Sequence, residues 1–429
     1  MAPIADQSTT TLHPSAPRAT PEPPGALSEP TTPVPRRWTT AVVLANVGVF
    51  AAFLGPIQIL LAKQSEAIAP GNKEFVFGLV TGAGAAVSVI ANPLFGAISD
   101  RTNSRFGRRV PWVLGGAVGG TIGLLVLAGA HAVAWMLLGW CLVQLFCNAL
   151  LAAITAAVPD RVPRLQRGTV GGWVALAQTL GALVGVGLAT AARGITAGFI
   201  ACAVFLLLSV IPYLLTSNDQ RLTESPPLIW REFLAGFWIS PRRFPDFGWA
   251  WLTRFLLNLG NALGTLYLFF FLQDAVEYGD PDTGVLILTA IYSLCVILTA
   301  VSSGSWSDRL GRRKVFVTWS GVVMAAGALI LAIWPTWTAA LIGAVILGIG
   351  FGVYLSVDFA LLTEVLPSAR DRAKDLGMIN IANSLPQVIA PAIAAPVVRL
   401  LGGYPVLYAL AAAVTLLGAV LVRNIRSVA

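Results

Sequence analysis

Short polar gaps divide this chain of 429 residues into long apolar runs. A run of about 20 apolar residues crosses a bilayer as a helix. Twelve can be placed, approximately at 39–62, 75–98, 111–130, 134–158, 169–192, 196–216, 248–272, 284–305, 315–334, 338–366, 375–398 and 403–423. No ten-residue alternation of the barrel type occurs, so helices must satisfy the backbone in lipid. Charged residues make up 11% of the chain, against about 25% in soluble domains, which leaves the bilayer as solvent. The expected fold is an all-α membrane protein with twelve transmembrane helices.

The basic residues set its orientation. Lys63, Lys73, Arg193 and Arg399 fall on one side of the membrane and Arg254 lies inside a run; the other 23 of 28 fall on the opposite side. That bias predicts a multi-pass plasma-membrane protein with both termini cytoplasmic. The net charge of +8 is then a topology signal, and no nucleic-acid partner is expected. Residues 1–37, rich in Pro, Thr and Ala, are expected to form a disordered cytoplasmic tail. They lack a signal peptide's apolar centre, so the first span is expected to direct targeting. The longest internal gap, 217–247, separates six-helix halves at 38–216 and 248–423, and 424–429 forms a second tail. Within that gap Leu228–Leu234 has the pattern of an interfacial amphipathic helix. Trp38, Trp112, Trp135, Trp249, Trp334 and Trp337 lie near span ends, as an aromatic belt requires. Cys141, Cys147, Cys202 and Cys295 sit in apolar runs without ligand spacing and are expected to be buried free thiols. His13 and His131 have no partner for catalysis or metal binding. No metal, cofactor or enzyme activity is expected.

A basic hairpin occurs twice. Gly96-Ala97-Ile98-Ser99-Asp100-Arg101 leads into Arg105-Phe106-Gly107-Arg108-Arg109, and Gly304-Ser305-Trp306-Ser307-Asp308-Arg309-Leu310-Gly311-Arg312-Arg313 repeats the pattern. Ala177-Gln178-Thr179-Leu180 in span 5 likewise matches Ala382-Asn383-Ser384-Leu385 in span 11. The offsets of about 205–208 residues imply two pseudo-symmetric, parallel six-helix halves.

With these motifs the chain resembles the major facilitator superfamily over nearly everything after the tail. Gly304 to Arg313 fits that family's pattern Gly-x-x-x-Asp-Arg-x-Gly-Arg-Arg. The first hairpin inserts Thr102 to Arg105, and its longer form, Ser99 to Pro111, is similar to the glycoside-pentoside-hexuronide and sucrose transporter branch. Gly377-Met378-Ile379-Asn380 and Leu385-Pro386-Gln387-Val388-Ile389 also resemble that branch. Sucrose carriers place an arginine five residues before the acid that ends span 4; here the acid is Asp160 and the arginine position holds Thr155. The resemblance implies that Asp100 and Asp308, with their neighbouring arginines, close an inner gate. Asp100 would face the start of span 11 and Asp308 the start of span 5. A carboxylate at a helix N-terminus gains about 0.3–2 kcal/mol. The simpler alternative is that these charged loops only set topology.

Asp358 lies inside span 10, about eight residues from its inner end, and Arg254 has a similar depth in span 7. A carboxylate at that depth costs about 2.5–3.5 kcal/mol on insertion scales and marks function by default. Asp358 is thus a candidate for proton coupling, for substrate contact, or for a structural ion pair with Arg254. Glu364 is the reserve candidate. Polar residues also recur at helical spacing. Arg254, Asn258, Asn261 and Thr265 share a face of span 7, and Gln144, Asn148 and Thr155 a face of span 4. Asn46 and Gln58 belong to span 1, and Tyr354 to span 10. Such stripes cannot face lipid cheaply, so spans 1, 4 and 7 are expected to line a cavity. Asn380, Asn383 and Gln387 on span 11 are expected to bond between helices.

These features predict a secondary active transporter working by alternating access, functional as a monomer. Its expected partners are the bilayer, a small-molecule substrate and protons. A sugar or glycoside fits the neutral lining, and efflux of a drug or hydrophobic metabolite is the alternative. The absence of a Gly-x-x-x-x-Gly-Lys-Ser/Thr sequence argues against ATP hydrolysis. A membrane enzyme would need a clustered nucleophile or metal set, and a channel a ring of filter residues.

Overall fold

The computed structural model describes residues 30–217, 219, 244–310, 313–365 and 372–425. The tail before residue 30, the segment Leu228–Leu234, Gly311 and Arg312 lie outside the described residues. So do the side chains of Gly304, Asp308, Arg309, Glu364 and Asn380.

Twelve helical units follow one another. α1 is Arg36–Ile68, with a π turn at Pro56–Leu60. Then come α2 (Lys73–Asp100), α3 (Val110–Ala128), α4 (Val133–Arg161), α5 (Arg164–Ala191) and α6 (Ile195–Thr216). The second set is α7 (Pro245–Leu266), α8 (Pro281–Leu310), α9 (Arg313–Ile333), α10 (Trp337–Val365), α11 (Arg372–Leu400) and α12 (Gly403–Leu421). Among the described residues eleven helices are long and apolar enough to cross a membrane, and α7 makes twelve when joined to Leu268–Ala275.

The span expected at 248–272 is therefore bent, by 43°. The bend has a local cause. Tyr267 leaves helical geometry (φ −100°, ψ 15°), and its hydroxyl donates to the Glu74 carbonyl of α2 at 3.2 Å. The Phe77 ring stands edge-on to both Tyr267 and Phe270. Other helices overrun their apolar stretches. α1 carries Lys63 and Glu66 in its last turns and α4 ends on Asp160 and Arg161. Polar ends of this kind extend a helix past the hydrocarbon.

The two sets repeat one packing scheme. α1 packs on α5 and α6, α4 on α2 and α3, and α3 on α6; correspondingly α7 packs on α11 and α12, α10 on α8 and α9, and α9 on α12. Lipid supplies no hydrophobic drive for helix association, so close packing of small residues has to supply it. At the α1–α5 contact a Cβ on Gly185 would lie 2.5 Å from the Ala51 carbonyl oxygen. The halves themselves meet along two seams, α2 against α11 and α5 against α8.

Cross-half bonds concentrate on the face bearing the end of α1, here the distal face. The face bearing the start of α1, the end of α12 and the 101–109 hairpin is the termini face. On the distal side Lys63 pairs with Asp282 at 2.5 Å, and Lys73 with Asp274 at 2.7 Å. Gln273, in the π turn after the α7 bend, donates to both Glu66 oxygens at 2.8 and 2.9 Å. Arg399 reaches Asn72. The termini face carries its own set of arginines, Arg101, Arg105, Arg161 and Arg167 in the first half and Arg313 in the second. There, Gly96 of α2 and Gly168 of α5 look into open space. On the distal face the halves are thus bonded to one another.

Two expectations change. Trp38 is 1% exposed, packed under Arg161, whose guanidinium carbon lies 5.7 Å from the ring centre. It belongs to the core, while Trp135 and Trp334 stay exposed. Cys147 and Cys202 are buried free thiols, but Cys141 and Cys295 are partly exposed because they lie toward the outside of the bundle.

The distal ion pairs are partly exposed, so each is worth about 0.2–1 kcal/mol. Lys63→Ala combined with Lys73→Ala should raise the distal-open population about 2- to 30-fold. Labelling of a single cysteine at Gln58 by a membrane-impermeant reagent from the distal side should accelerate by that factor.

Candidate functional site

The hairpin between α2 and α3 folds around two buried arginines. Arg108 and Arg109 are 5% and 2% exposed. Asp160, near the end of α4, accepts from both, at 2.5 Å from Arg108 and 2.8 Å from Arg109 Nε. Arg109 also donates to Ser99 Oγ and to Asp100 Oδ1, each at 2.5 Å. Burial alone would lower the pKa of the Arg109 guanidinium, but Asp160 and Asp100 outweigh it and raise the value. Arg101 donates to the Ala97 carbonyl at 2.8 Å, and Arg105 covers the Phe106 ring.

Asp219, just past α6, closes the same hairpin. Its carboxylate accepts the backbone N–H groups of Arg109 and Val110, the latter at 3.2 Å. These are free donors at the N-terminus of α3, which a carboxylate satisfies well. Gly107 has φ +91°, and a Cβ there would meet the Asp219 carboxylate within 2.6 Å. Glycine is required on both counts.

Asp100 thus engages Arg109 of its own hairpin. The first-turn side chains of α11, its expected partner, lie outside the described residues. Arg313, in the second hairpin, begins α9.

A second ionic site occupies the second half. Arg254 on α7 pairs with Asp358 on α10, which is 3% exposed. The same guanidinium donates through Nε to Asn383 Oδ1 on α11 at 2.7 Å. Asn258, one turn along α7, donates to the Tyr354 hydroxyl at 3.1 Å and to Asn383 Oδ1 at 3.3 Å. Three helices are tied by five side chains with no net charge. Helical spacing explains the grouping, since 254 and 258 share a face of α7, and 354 and 358 a face of α10.

The remaining candidates disperse. Asn261 accepts from Tyr292 of α8 at 3.3 Å. Gln58, in the π turn of α1, accepts from Thr289 of α8 at 3.0 Å, which makes it a bond between the halves. Gln144 and Asn148 are buried against α2. Asn148 bonds Gln144 Oε1 at 3.2 Å and receives Ser88 at 3.2 Å and Asn92 at 3.4 Å. Asn46 is 1% exposed and donates to the Val42 carbonyl of its own helix. Thr155 and Gln387 are exposed.

Sequence reasoning missed Ser88 and Asn92, although their i, i+4 spacing on α2 was visible. It also missed Thr289, Tyr292 and Asp219. Asp219 is a lone acid in a loop and carries no periodic signal. Among the described residues no group of three His, Cys, Asp or Glu side chains could hold a metal.

A two-fold bundle whose halves are bonded on one face, with a polar centre and a basic hairpin, has the form of a membrane transporter. The family model described as Major Facilitator Superfamily matches residues 38–302 and 275–427. The chain belongs to the major facilitator superfamily. The uncharacterized MFS-type transporter YwfA of Bacillus subtilis is 25% identical over 383 residues, covering 88% of this chain and 89% of that protein. Myo-inositol transporter 3A of Cryptococcus neoformans is 33% identical over 131 residues, 30% of this chain. The multidrug resistance protein MdtL of Shewanella oneidensis is 32% identical over 128 residues, 30% of this chain and 32% of that protein. The matched stretch spans 22% of the inositol transporter's length. Among solved structures, a variant of the nucleoside transporter NupG has a TM-score of 0.72 at 14% identity, covering 90% of this chain and 99% of that one.

Two stability measurements follow from the geometry. Gly107→Ala should lower stability by about 1–3 kcal/mol through a strained φ and the Asp219 contact. A fall in the unfolding temperature of detergent-purified protein checks this. Asp358→Leu should cost about 3–5 kcal/mol by stranding the buried Arg254 charge. Asp358→Leu with Arg254→Met should recover most of that loss in the same assay.

Proposed function

We propose that this transporter works by proton-driven alternating access and carries a small neutral polar solute such as a sugar, glycoside or polyol. One observation carries this reading: the central network of Arg254, Asn258, Tyr354, Asp358 and Asn383 has no net charge and is built from amides, a hydroxyl and one ion pair. A charged solute would need a compensating charge at such a centre. Hydroxyls of a polyol match amide donors and acceptors without one. The partial likeness to myo-inositol transporters supports the same class. So does the likeness of the first hairpin to the glycoside-pentoside-hexuronide branch.

Asp358 is the proposed proton carrier, with Glu364 in reserve. Its proton would come from water that reaches the site as the halves move, and Arg254 pairs with the carboxylate until then. In this reading both termini are cytoplasmic and the distal face looks out of the cell. Lys63–Asp282 and Lys73–Asp274 would then hold the outer side together. The hairpin at Asp100 and its repeat at Asp308 would close the inner side when the distal bonds part. The monomer contains both halves of this device. Drug efflux is the second reading, and the likeness to MdtL favours it.

Currents from protein-loaded liposomes on a solid support test the reading with a panel of polyols, sugars and lipophilic cations. A polyol-evoked, pH-dependent current in the native chain should fall at least about tenfold in Asp358→Asn. Equal currents in both would remove Asp358 as the carrier. A response to lipophilic cations alone would assign the protein to efflux.

A further inference from the structure

Arg254 has two acceptors on two different helices. Asp358 belongs to α10, and Asn383 to α11. α11 is also the helix that forms one of the two seams between the halves, against α2. A guanidinium donates through several N–H groups in a fixed plane, so it can hold both acceptors or shift its weight between them.

We infer that Asn383 is the positioning residue that takes over Arg254 when Asp358 is neutralised, transferring the tie of α7 from α10 to α11. This inference rests on the proposed role of Asp358 as the proton carrier.

The geometry supports the transfer in three ways. First, the Asn383 acceptor oxygen is already engaged, at 2.7 Å from Arg254 Nε and 3.3 Å from Asn258 Nδ2. It therefore needs no search for a new partner. Second, α10 keeps a separate tie to α7 through Tyr354 and Asn258 at 3.1 Å, one turn from Asp358. Loss of the ion pair would loosen α10 at one point without freeing it. Third, the arrangement breaks the two-fold. The stretch that holds Asn383 repeats in α5 with Gln178, yet the middle turns of α1 to α6 contain no charged residue for Gln178 to hold. Only the second half carries the ionic switch, and its output helix lies on the seam.

The proton balance is simple. A proton from water adds to the Asp358 carboxylate, and the guanidinium stays charged. The neutral acid attracts Arg254 far less than the carboxylate does, because the Coulomb term is gone. The Asn383 carbonyl dipole becomes the stronger competitor. Among the described side chains, Asp358 is bonded to Arg254 on α7, and the Tyr354 hydroxyl one turn along α10 is bonded to Asn258. α11 presents the neutral Asn383 to Arg254, and on α8 the Tyr292 hydroxyl is bonded to Asn261 further along α7.

Double electron–electron resonance on the full-length protein in nanodiscs tests this without a substrate. Spin labels would replace Gly71 and Gly279, which meet nothing within 4 Å on opposite halves of the distal face. The background carries serine at the four native cysteine positions. Asp358→Asn imitates the protonated acid and should shift the distal-open population about tenfold, as should acid pH in the parent. Adding Asn383→Ala should abolish the Asp358→Asn shift, and Asn383→Gln should restore much of it. A purely structural asparagine would change the unfolding temperature and leave the shift intact. If Asp358→Asn shifts the population equally with Asn383→Ala present, the handover is overturned and the proton-carrier reading stands. If neither Asp358→Asn nor pH moves the population, both are overturned.

Discussion

Every buried backbone group of this chain has to find its partner within its own helix, because hydrocarbon offers none. The rest of the architecture depends on that constraint. It forces the long apolar runs into helices and leaves only side chains to bond between them. Where the backbone departs from regular helix, it does so in protein-packed places. The π turn of α1 presents Gln58 to Thr289, and the π turn after the α7 bend presents Gln273 to Glu66. Both departures lie in the helices that begin each half, and both put a glutamine on a partner across the interface. Register shifts of this kind re-aim a side chain without exposing backbone to lipid.

Charge is distributed with the same economy. Partly exposed pairs such as Lys63–Asp282 hold the distal face. Being worth little singly, they can part without a large barrier. The hairpin arginines are deeper and more fully satisfied. Asp160, Asp100 and Ser99 take up Arg109 from three sides, while Asp219 occupies the N–H groups that open α3. That cluster is a rigid corner in the conformation described. The distal bonds are thus weak singly and the hairpin corner firm, a contrast that the proposed alternating access would use.

The Arg254–Asp358 pair is of a third kind. A buried ion pair is weak evidence for stability, since desolvation offsets much of its attraction. Its attraction alone therefore says little about what the pair does. The neighbouring Asn258, Asn383 and Tyr354 give the guanidinium and the amides alternatives to the carboxylate. A site with alternatives can change its bonding when one charge is removed, whereas a site with a single partner can only break.

The number of spans, the two-fold repeat and the identity of the ionic residues were legible in the sequence. Apolar length and basic gaps report directly on transfer to lipid, and the two hairpins share a motif. Stripes at helical spacing also placed Arg254 beside Asn258, and Tyr354 beside Asp358, because periodicity along one helix is a local property. Which helix each stripe would face was not local. Gln144 and Asn148 turned toward Ser88 and Asn92 of α2, and Asn46 into the packed surface of α1, because rotation of a helix about its axis is set by all its neighbours at once. The bend at Tyr267 depended on a carbonyl of α2 almost two hundred residues earlier, and the cap at Arg109 on an acid beyond α6. The sequence by itself determined the solvent, the helices and the charged residues buried among them. Tertiary packing alone decided which of those residues meet, within a half and across the distal face, because such contacts join positions that no periodicity along the chain connects.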